Sequence, residues 1–378
     1  MRHYDVVVIG AGIIGSSIAF RLAQKKLSVA LLDQHQPGHE ASWAAAGMLS
    51  PAPESPADIP LVPFGRASLD LYPSFLAEVE EVSGQRAHWR RHGTIELLFS
   101  PHAERELSTL VALHRGLGLP TEPLPLDEVQ KLAPAASCEA GAAALLPYES
   151  AVDNRALTAA VLAAAVTAGA TLHANTGVTR LLRNGGRCAG VAAAGKTYKA
   201  RDVVLAAGAF SGKIAGLEPP VVTRPIRGQM VALRSNSARL KHVLRSERGY
   251  LVPRDDADAQ LLVAGSTIED AGFEKRVTPQ GLEQILSAIQ ELAPVLAGAE
   301  IVETWSGLRP DTPDHLPLLG PAELEHLTVA TGHYRNGILL APITARLVCE
   351  WITEGRVSME WDPFDPLRFA KGQTTERN

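Results

Sequence analysis

A chain of 378 residues with 46% apolar and 20% charged side chains has the make-up of a folded globular protein of two or three domains, which excludes a disordered, fibrous or collagen-like polymer. Its 36 basic and 41 acidic residues leave a formal charge of -5 with no block of five like charges. That balance excludes a broad electrostatic grip on nucleic acid or on an anionic membrane.

Residues 4–9 are a continuous, largely β-branched run, the pattern of a parallel strand covered on both faces. The run enters Gly10-Ala11-Gly12-Ile13-Ile14-Gly15. Ile14, Ile18, Leu22 and Ala23 then share a helical face that ends at Lys25-Lys26, cations suited to the negative end of a helix dipole. Residues 28–33 give a second buried strand that closes on Asp33. In such a unit Gly10 makes the tight turn, Gly12 lets a pyrophosphate approach the backbone, and Gly15 lets helix and strand pack closely. The phosphates sit over the N–H groups of the helix start. Asp33 is placed to accept both hydroxyls of a ribose. The unit predicts dinucleotide binding without separating FAD from NAD. Residues 41–49, small and alanine-rich, follow the acid directly and shift the balance to FAD, although close packing alone accounts for them equally well.

Residues 51–63 hold five prolines and read as an irregular loop. Helical periodicity follows around 69–82, a strand over 92–99, an amphipathic helix over 101–117 and a short helix over 127–132. Asp153 and Asn154 can cap an alanine-rich helix over 156–168 that Gly169 ends. Residues 171–174 and 176–181 are strands. Residues 202–211 repeat the opening pattern, with a strand, a small-residue turn at Ala207-Gly208 that lets a cofactor come close, and a helix to 215. Pro219-Pro220 marks a domain crossing. Strands are expected over 221–233, 249–253 and 260–266, with a polar hairpin turn at 255–258. Thr278 opens a helix to 292 with Pro279 at its first position. A strand over 301–305 leads into Gly307-Leu308-Arg309-Pro310, and a last strand over 327–331 feeds residues 332–340 and a final helix.

Three scattered cysteines (Cys138, Cys188, Cys349) give neither a disulfide framework nor a zinc site and read as small buried hydrophobes in a reducing cytosol. No H-E-x-x-H or clustered ligand set supports a metal. No apolar run reaches the roughly 18 residues of a membrane span, and the start of the chain does not read as a signal peptide. The expectation is a cytoplasmic protein.

Taken together, the segments Val8 to Gly15, Ala44 to Leu49, Gly249 to Arg254, Trp305 to Pro310 and Gly332 to Leu340 resemble the FAD-dependent D-amino-acid oxidase family, most closely its glycine oxidase branch linked to thiamine biosynthesis. The resemblance implies an α/β fold: a Rossmann-type, glutathione-reductase-like FAD-binding domain with an inserted α+β substrate domain of antiparallel sheet. The expected boundaries are 1–85, 150–220 and 302–370 for the first, 86–149 and 221–301 for the second, and a flexible tail over 371–378. FAD contacts would fall on Gly10, Gly12, Ile13, Ile14, Gly15, Asp33, Gln34, Ala41, Ser42, Ala46, Gly47, Met48, Val178, Ala207, Gly208, His333, Tyr334, Arg335, Asn336, Gly337, Ile338 and Leu339. With no cysteine after Arg309 in the region where a related branch tethers its flavin, FAD is expected to be non-covalent. Arg309 would bind the substrate carboxylate, with Tyr250, Arg335 and Met48 in the same site. Ile268 stands where the branch carries a methionine. A homo-oligomer is implied as well.

The chemistry expected is oxidation of a small amino acid such as glycine, sarcosine or D-alanine by hydride transfer from Cα to flavin N5, giving a 2-oxo acid, ammonia and hydrogen peroxide. Arg309 can clamp a carboxylate through two parallel hydrogen bonds. Tyr250 can add a phenolic donor or serve as packing. Arg335 and the start of the last helix can favour an anionic reduced ring, or Arg335 can turn outward. His333 and His315 read as structural rather than as bases. The alternative is a sarcosine-oxidase-like enzyme or a D-amino-acid dehydrogenase that uses an acceptor other than oxygen.

Overall fold

The computed structural model describes residues 3–236, 239–254 and 260–371. Its elements assemble into two eight-stranded sheets and one small three-stranded sheet. At the centre of the first lies His3–Ile9, with parallel neighbours Val29–Leu32 on one side and Lys196–Leu205 on the other. Thr171–His173 extends it beyond Val29–Leu32, and Leu327–Thr331 pairs in parallel with the C-terminal half of Lys196–Leu205. The N-terminal half of that long strand carries the antiparallel hairpin Val178–Asn184 and Arg187–Ala193. Both faces of the central strand are covered, which explains its unbroken apolar sequence. Val6 and Val8 pack among residues of the helices Ile13–Gln24, Val62–Ser83, Asn154–Thr167 and Gly337–Glu354, while Val7 and Ile9 pack among Leu181, Val191 and Leu205.

The second sheet runs Glu300–Asp311, Arg224–Ser235, Gln260–Gly265, Gly249–Arg254, Val243–Ser246, Thr94–Leu98, Ala142–Leu146 and Glu122–Pro123, antiparallel except where Val243–Ser246 meets Thr94–Leu98. Period-two alternation divides its side chains. Val231, Leu233, Leu251 and Ala264 pack under the helix Pro279–Leu292, whereas Met230, Tyr250, Val252 and Trp305 meet Ala44, Ala46 and Met48 on the other face. Residues 41–49, which follow directly on the first β-α-β unit, are therefore where the second sheet touches the first unit.

The opening unit forms as read, and Thr278 caps the helix Pro279–Leu292 by accepting from the Gly281 amide. Elsewhere the structure differs. Residues 56–61 of the proline-rich stretch form a 3-10 helix, and the next helix starts at Val62 instead of near 69. Pro63 sits in its first turn, where a missing N–H costs nothing. The expected helix to 215 is a 3-10 turn, Gly208–Lys213. The strand expected over 301–305 continues through Arg309 to Asp311 and pairs with Arg224–Ser235, so residues 302–311, grouped by sequence with the first unit, lie in the second sheet. Cys138 is exposed, unlike Cys188 and Cys349. The turn at 255–258 and the tail from 372 onward lie outside the described residues, among which no helix is long and apolar enough to cross a membrane.

Candidate active site

Two clefts meet at one wall. The first runs past the ends of the parallel strands and is lined by Gly10, Gly12, Ile13, Ile14, Asp33, Gln34, Ala41, Ser42, Val178, Ala207, Gly208, His333, Tyr334, Arg335, Gly337 and Ile338. The second lies under the second sheet and is lined by Ala46, Gly47, Met48, Tyr250, Ile268, Arg309, Tyr334, Arg335, Asn336 and Leu339. Ala41, Ala45, Leu308, Tyr334, Arg335 and Ile338 border both.

Two glycines of the opening unit are there by steric necessity. Gly10 has φ +97, and a Cβ on it would lie 2.4 Å from the Ala206 carbonyl oxygen. A Cβ on Gly15 would lie 1.9 Å from the Gly10 carbonyl oxygen, so Gly15 serves the helix–strand contact and lines neither cleft. Asp33 accepts from the amides of Ala11 (2.8 Å) and His35 (2.9 Å). Its burial raises the carboxyl above the usual carboxylate range, against the pull of those two amides. The Ile13 amide at the helix start donates to Ser42 Oγ at 2.9 Å. Tight glycine backbone, a helix N-terminus and a half-buried acid at the end of the next strand fit the phosphates and ribose of a dinucleotide.

At the far end of this cleft, His333 is buried, its Nε2 is 3.1 Å from Thr344 Oγ1, and burial pushes its pKa down to about 3. It is a neutral structural histidine. His315 is held 2.7 Å from the buried Asp311 carboxylate and stacks on Tyr334, so it too is spoken for. The first turn of the last helix, Gly337–Glu354, is held from behind. Ser68 Oγ donates to the Leu339 carbonyl at 2.6 Å and the Tyr72 hydroxyl to that of Ile338, both from the helix Val62–Ser83.

In the second cleft Arg309 lies over Gly228, where a Cβ would fall within 2.5 Å of its guanidinium carbon. Its Nη1 donates to the Thr267 carbonyl at 3.1 Å and its Nη2 to Ser266 Oγ at 2.6 Å. Two of five N–H donors are used in this way, which sets the plane of the guanidinium and leaves donors for a carboxylate. Tyr250 donates to Met230 Sδ at 3.5 Å. Arg335 pairs with Glu54, and burial lowers its pKa. Ile268 is 57% exposed and stands on the rim.

Sequence reasoning missed several groups. Arg245 lines the second cleft, contacting Glu96 through an ion pair and Glu149 at 3.2 Å; burial opposes its charge, but the two carboxylates outweigh burial and raise its pKa. Glu40, Phe210 and Lys213 line the first cleft. Arg245 and Glu40 belong to no local motif, whereas Phe210 and Lys213 follow the small-residue turn of the stretch that repeats the opening pattern, where only Ala207-Gly208 drew notice. Among the described residues no group of three or more metal-ligating side chains occurs.

A family model for FAD-dependent oxidoreductases, DAO, matches residues 5–351. The chain belongs to the DAO family. Curated relatives include a glycine oxidase of Geobacillus kaustophilus, 34% identical over 375 residues that cover 97% of this chain and 98% of that protein. A bifunctional protein ThiO/ThiG of Trichormus variabilis is 34% identical over 98% of this chain and 56% of its own length. The crystal structure of glycine oxidase from Geobacillus kaustophilus superposes with a TM-score of 0.91 at 32% identity, covering 97% of this chain and 99% of that one. The α/β architecture with mixed sheets is thus that of the family's flavoproteins, which depend on FAD.

Proposed function

We propose that this DAO-family flavoprotein, with oxygen as acceptor and water hydrolysing the imine, oxidises glycine and other small amino acids such as D-alanine to a 2-oxo acid, ammonia and hydrogen peroxide, and sarcosine likewise with methylamine released in place of ammonia. The observation that carries the reading is Arg309: a cation pinned by Ser266 and Thr267 in a cleft that shares its wall with the cofactor cleft. The likeness to glycine oxidase over nearly the whole of both chains supports it.

When bound, FAD accepts a hydride and passes two electrons to oxygen. The chain's own residues bind and orient. Arg309 holds the substrate carboxylate through its free N–H donors. Tyr250 and Met48 bound the space beside it, and Arg335, on the shared wall and paired with Glu54, offers its remaining N–H donors near the reacting end. His333 and His315 are both committed, and His114, the third histidine on the clefts, is buried with its Nδ1 2.7 Å from Thr121 Oγ1, so the reading takes the amine as arriving neutral instead of assigning a histidine base. FAD is held without a covalent bond by the first-sheet unit, and the second sheet supplies the substrate side. The oxidation serves the thiazole branch of thiamine biosynthesis, a reading that rests on the likeness to the ThiO/ThiG protein.

Peroxide release from purified, flavin-loaded protein under air, measured against glycine, sarcosine and D-alanine, tests this. Peroxide with at least one of them is expected. Failure of all three to bleach the flavin anaerobically would overturn the reading, and bleaching without peroxide under air would replace oxygen with another acceptor.

A further inference from the structure

The wall between the two clefts, residues 41–48, has little structure of its own. Its helix, Ala41–Ala44, is four residues long, so none of its carbonyls finds an i+4 amide within it. Side chains from distant elements take those carbonyls instead. Asn154 Nδ2 donates to Ser42 O at 2.8 Å and to Trp43 O at 3.0 Å. Trp305 Nε1 donates to Ala44 O at 3.0 Å, and Arg254 Nη2 donates to Ala46 O. Arg254 Nη2 also donates to Asn154 Oδ1 at 3.0 Å, joining two of these supports into one. Asn154 is 2% exposed and Arg254 is 7% exposed.

Arg254 is a costly way to hold a carbonyl. Burial pulls its pKa down to about 10, and its Nη1 is buried with no hydrogen-bond partner among the described residues. An apolar side chain of that size would be the more stable choice for a merely structural position. What the guanidinium adds is a rigid link. It stands on the strand Gly249–Arg254, whose other end carries Tyr250 on the same face. Through Asn154 it reaches the segment whose Ser42 binds the helix start of the cofactor cleft and whose Met48 lines the substrate cleft.

We propose that Arg254 and Asn154 are positioning residues, a buried strut that sets the shared wall 41–48 against the substrate strand and so couples cofactor binding to substrate geometry. The turnover half of this inference rests on the oxidase reading above; the cofactor half rests only on the family's FAD.

The test compares Asn154→Asp, Arg254→Met and Arg254→Lys with the parent as full-length protein, reading the FAD dissociation constant by flavin fluorescence, the flavin absorption spectrum, the melting temperature, and KM and kcat for glycine. Asn154→Asp keeps the shape and the bond from Arg254 while losing both donors to the wall. It is expected to weaken FAD binding about tenfold and to shift the flavin bands, since the half-buried Ser42 carbonyl loses its donor and that of Trp43 keeps only Arg155 Nε at 3.4 Å. Arg254→Met is expected to weaken FAD binding to a similar extent with little loss of melting temperature and to raise KM more than it lowers kcat. Arg254→Lys, which retains one donor, is expected to fall between Arg254→Met and the parent. FAD affinity and spectra within twofold of the parent in both Asn154→Asp and Arg254→Met would overturn the proposal. So would losses that follow melting temperature alone, with Arg254→Lys no better than Arg254→Met. A parent that binds FAD but gives no turnover with glycine would count against the oxidase reading, and the FAD affinity and spectral readouts would still decide the strut.

Discussion

Gly228→Ala isolates the substrate clamp from everything else in the fold. Gly228 is on the strand Arg224–Ser235, opposite Gly307 and beneath the Arg309 side chain. A methyl there would lie 2.3 Å from Nη1, 2.4 Å from Nη2 and 2.5 Å from the guanidinium carbon of Arg309. Ordinary carbon contact begins near 3.5 Å, so the guanidinium must move by about 1 Å. The atoms in the way are the far end of a flexible side chain, so the strand can stay and Arg309 gives. Its bonds to Ser266 Oγ and the Thr267 carbonyl then stretch or break. A reacting pair displaced by about 1 Å loses on the order of a hundredfold in rate. The cofactor cleft is untouched, because neither Gly228 nor Arg309 lines it. The expected result is flavin content and melting temperature equal to the parent's, with kcat/KM for glycine down by about a hundredfold. Steady-state peroxide production on protein matched for flavin absorbance measures it. A kcat/KM within threefold of the parent would show that the position of Arg309 does not govern substrate binding, and the proposed chemistry would fall with it.

Arg309→Ala should retain bound FAD and lose at least about a hundredfold in turnover, through the missing charge-assisted bonds; turnover near the parent's would assign the carboxylate to another group. Gly15→Ala places a Cβ 1.9 Å from a backbone oxygen that cannot rotate away, so it should cost about 1–3 kcal/mol in stability and weaken FAD binding, read by urea unfolding and flavin fluorescence. For His333, whose folded pKa of about 3 lies below its ordinary 6.5, the unfolded chain binds the extra proton as pH falls, so stability is full above about 6.5 and drains toward about 3. Between pH 7 and 5 that loss is about 2 kcal/mol, and His333→Gln should remove it; urea unfolding at both pH values with equal losses in parent and variant would refute the assignment.

What could be read from the chain alone was what is local. The opening β-α-β unit is legible because Gly10, Gly12, Gly15 and Asp33 fall in one short pattern within 33 residues of the chain start, although the atom that crowds Gly10 is the Ala206 carbonyl of a distant segment. Arg309 was singled out by the family resemblance of the segment Trp305 to Pro310, and the strand that carries it, expected to stop at 305, continues to Asp311 because Arg224–Ser235 pairs with it throughout. The groups that escaped are those whose partners are remote. Arg245 meets Glu149 across 96 residues, Arg254 meets Ala46 across 208, and Asn154 meets Ser42 across 112. No periodicity or spacing encodes such a pair, and each residue on its own has an ordinary reading as a strand cation or a helix cap. Glu54 shows the same limit from the other side, since a proline-rich stretch reads as a loop while nothing in it announces that its one acid before Asp58 pairs with Arg335. The binding surfaces are thus written in short motifs, and their relative placement is written in single buried polar residues far apart in the chain. Substitutions at those remote residues should consequently alter cofactor and substrate binding together, whereas substitutions within a motif should alter one and spare the other.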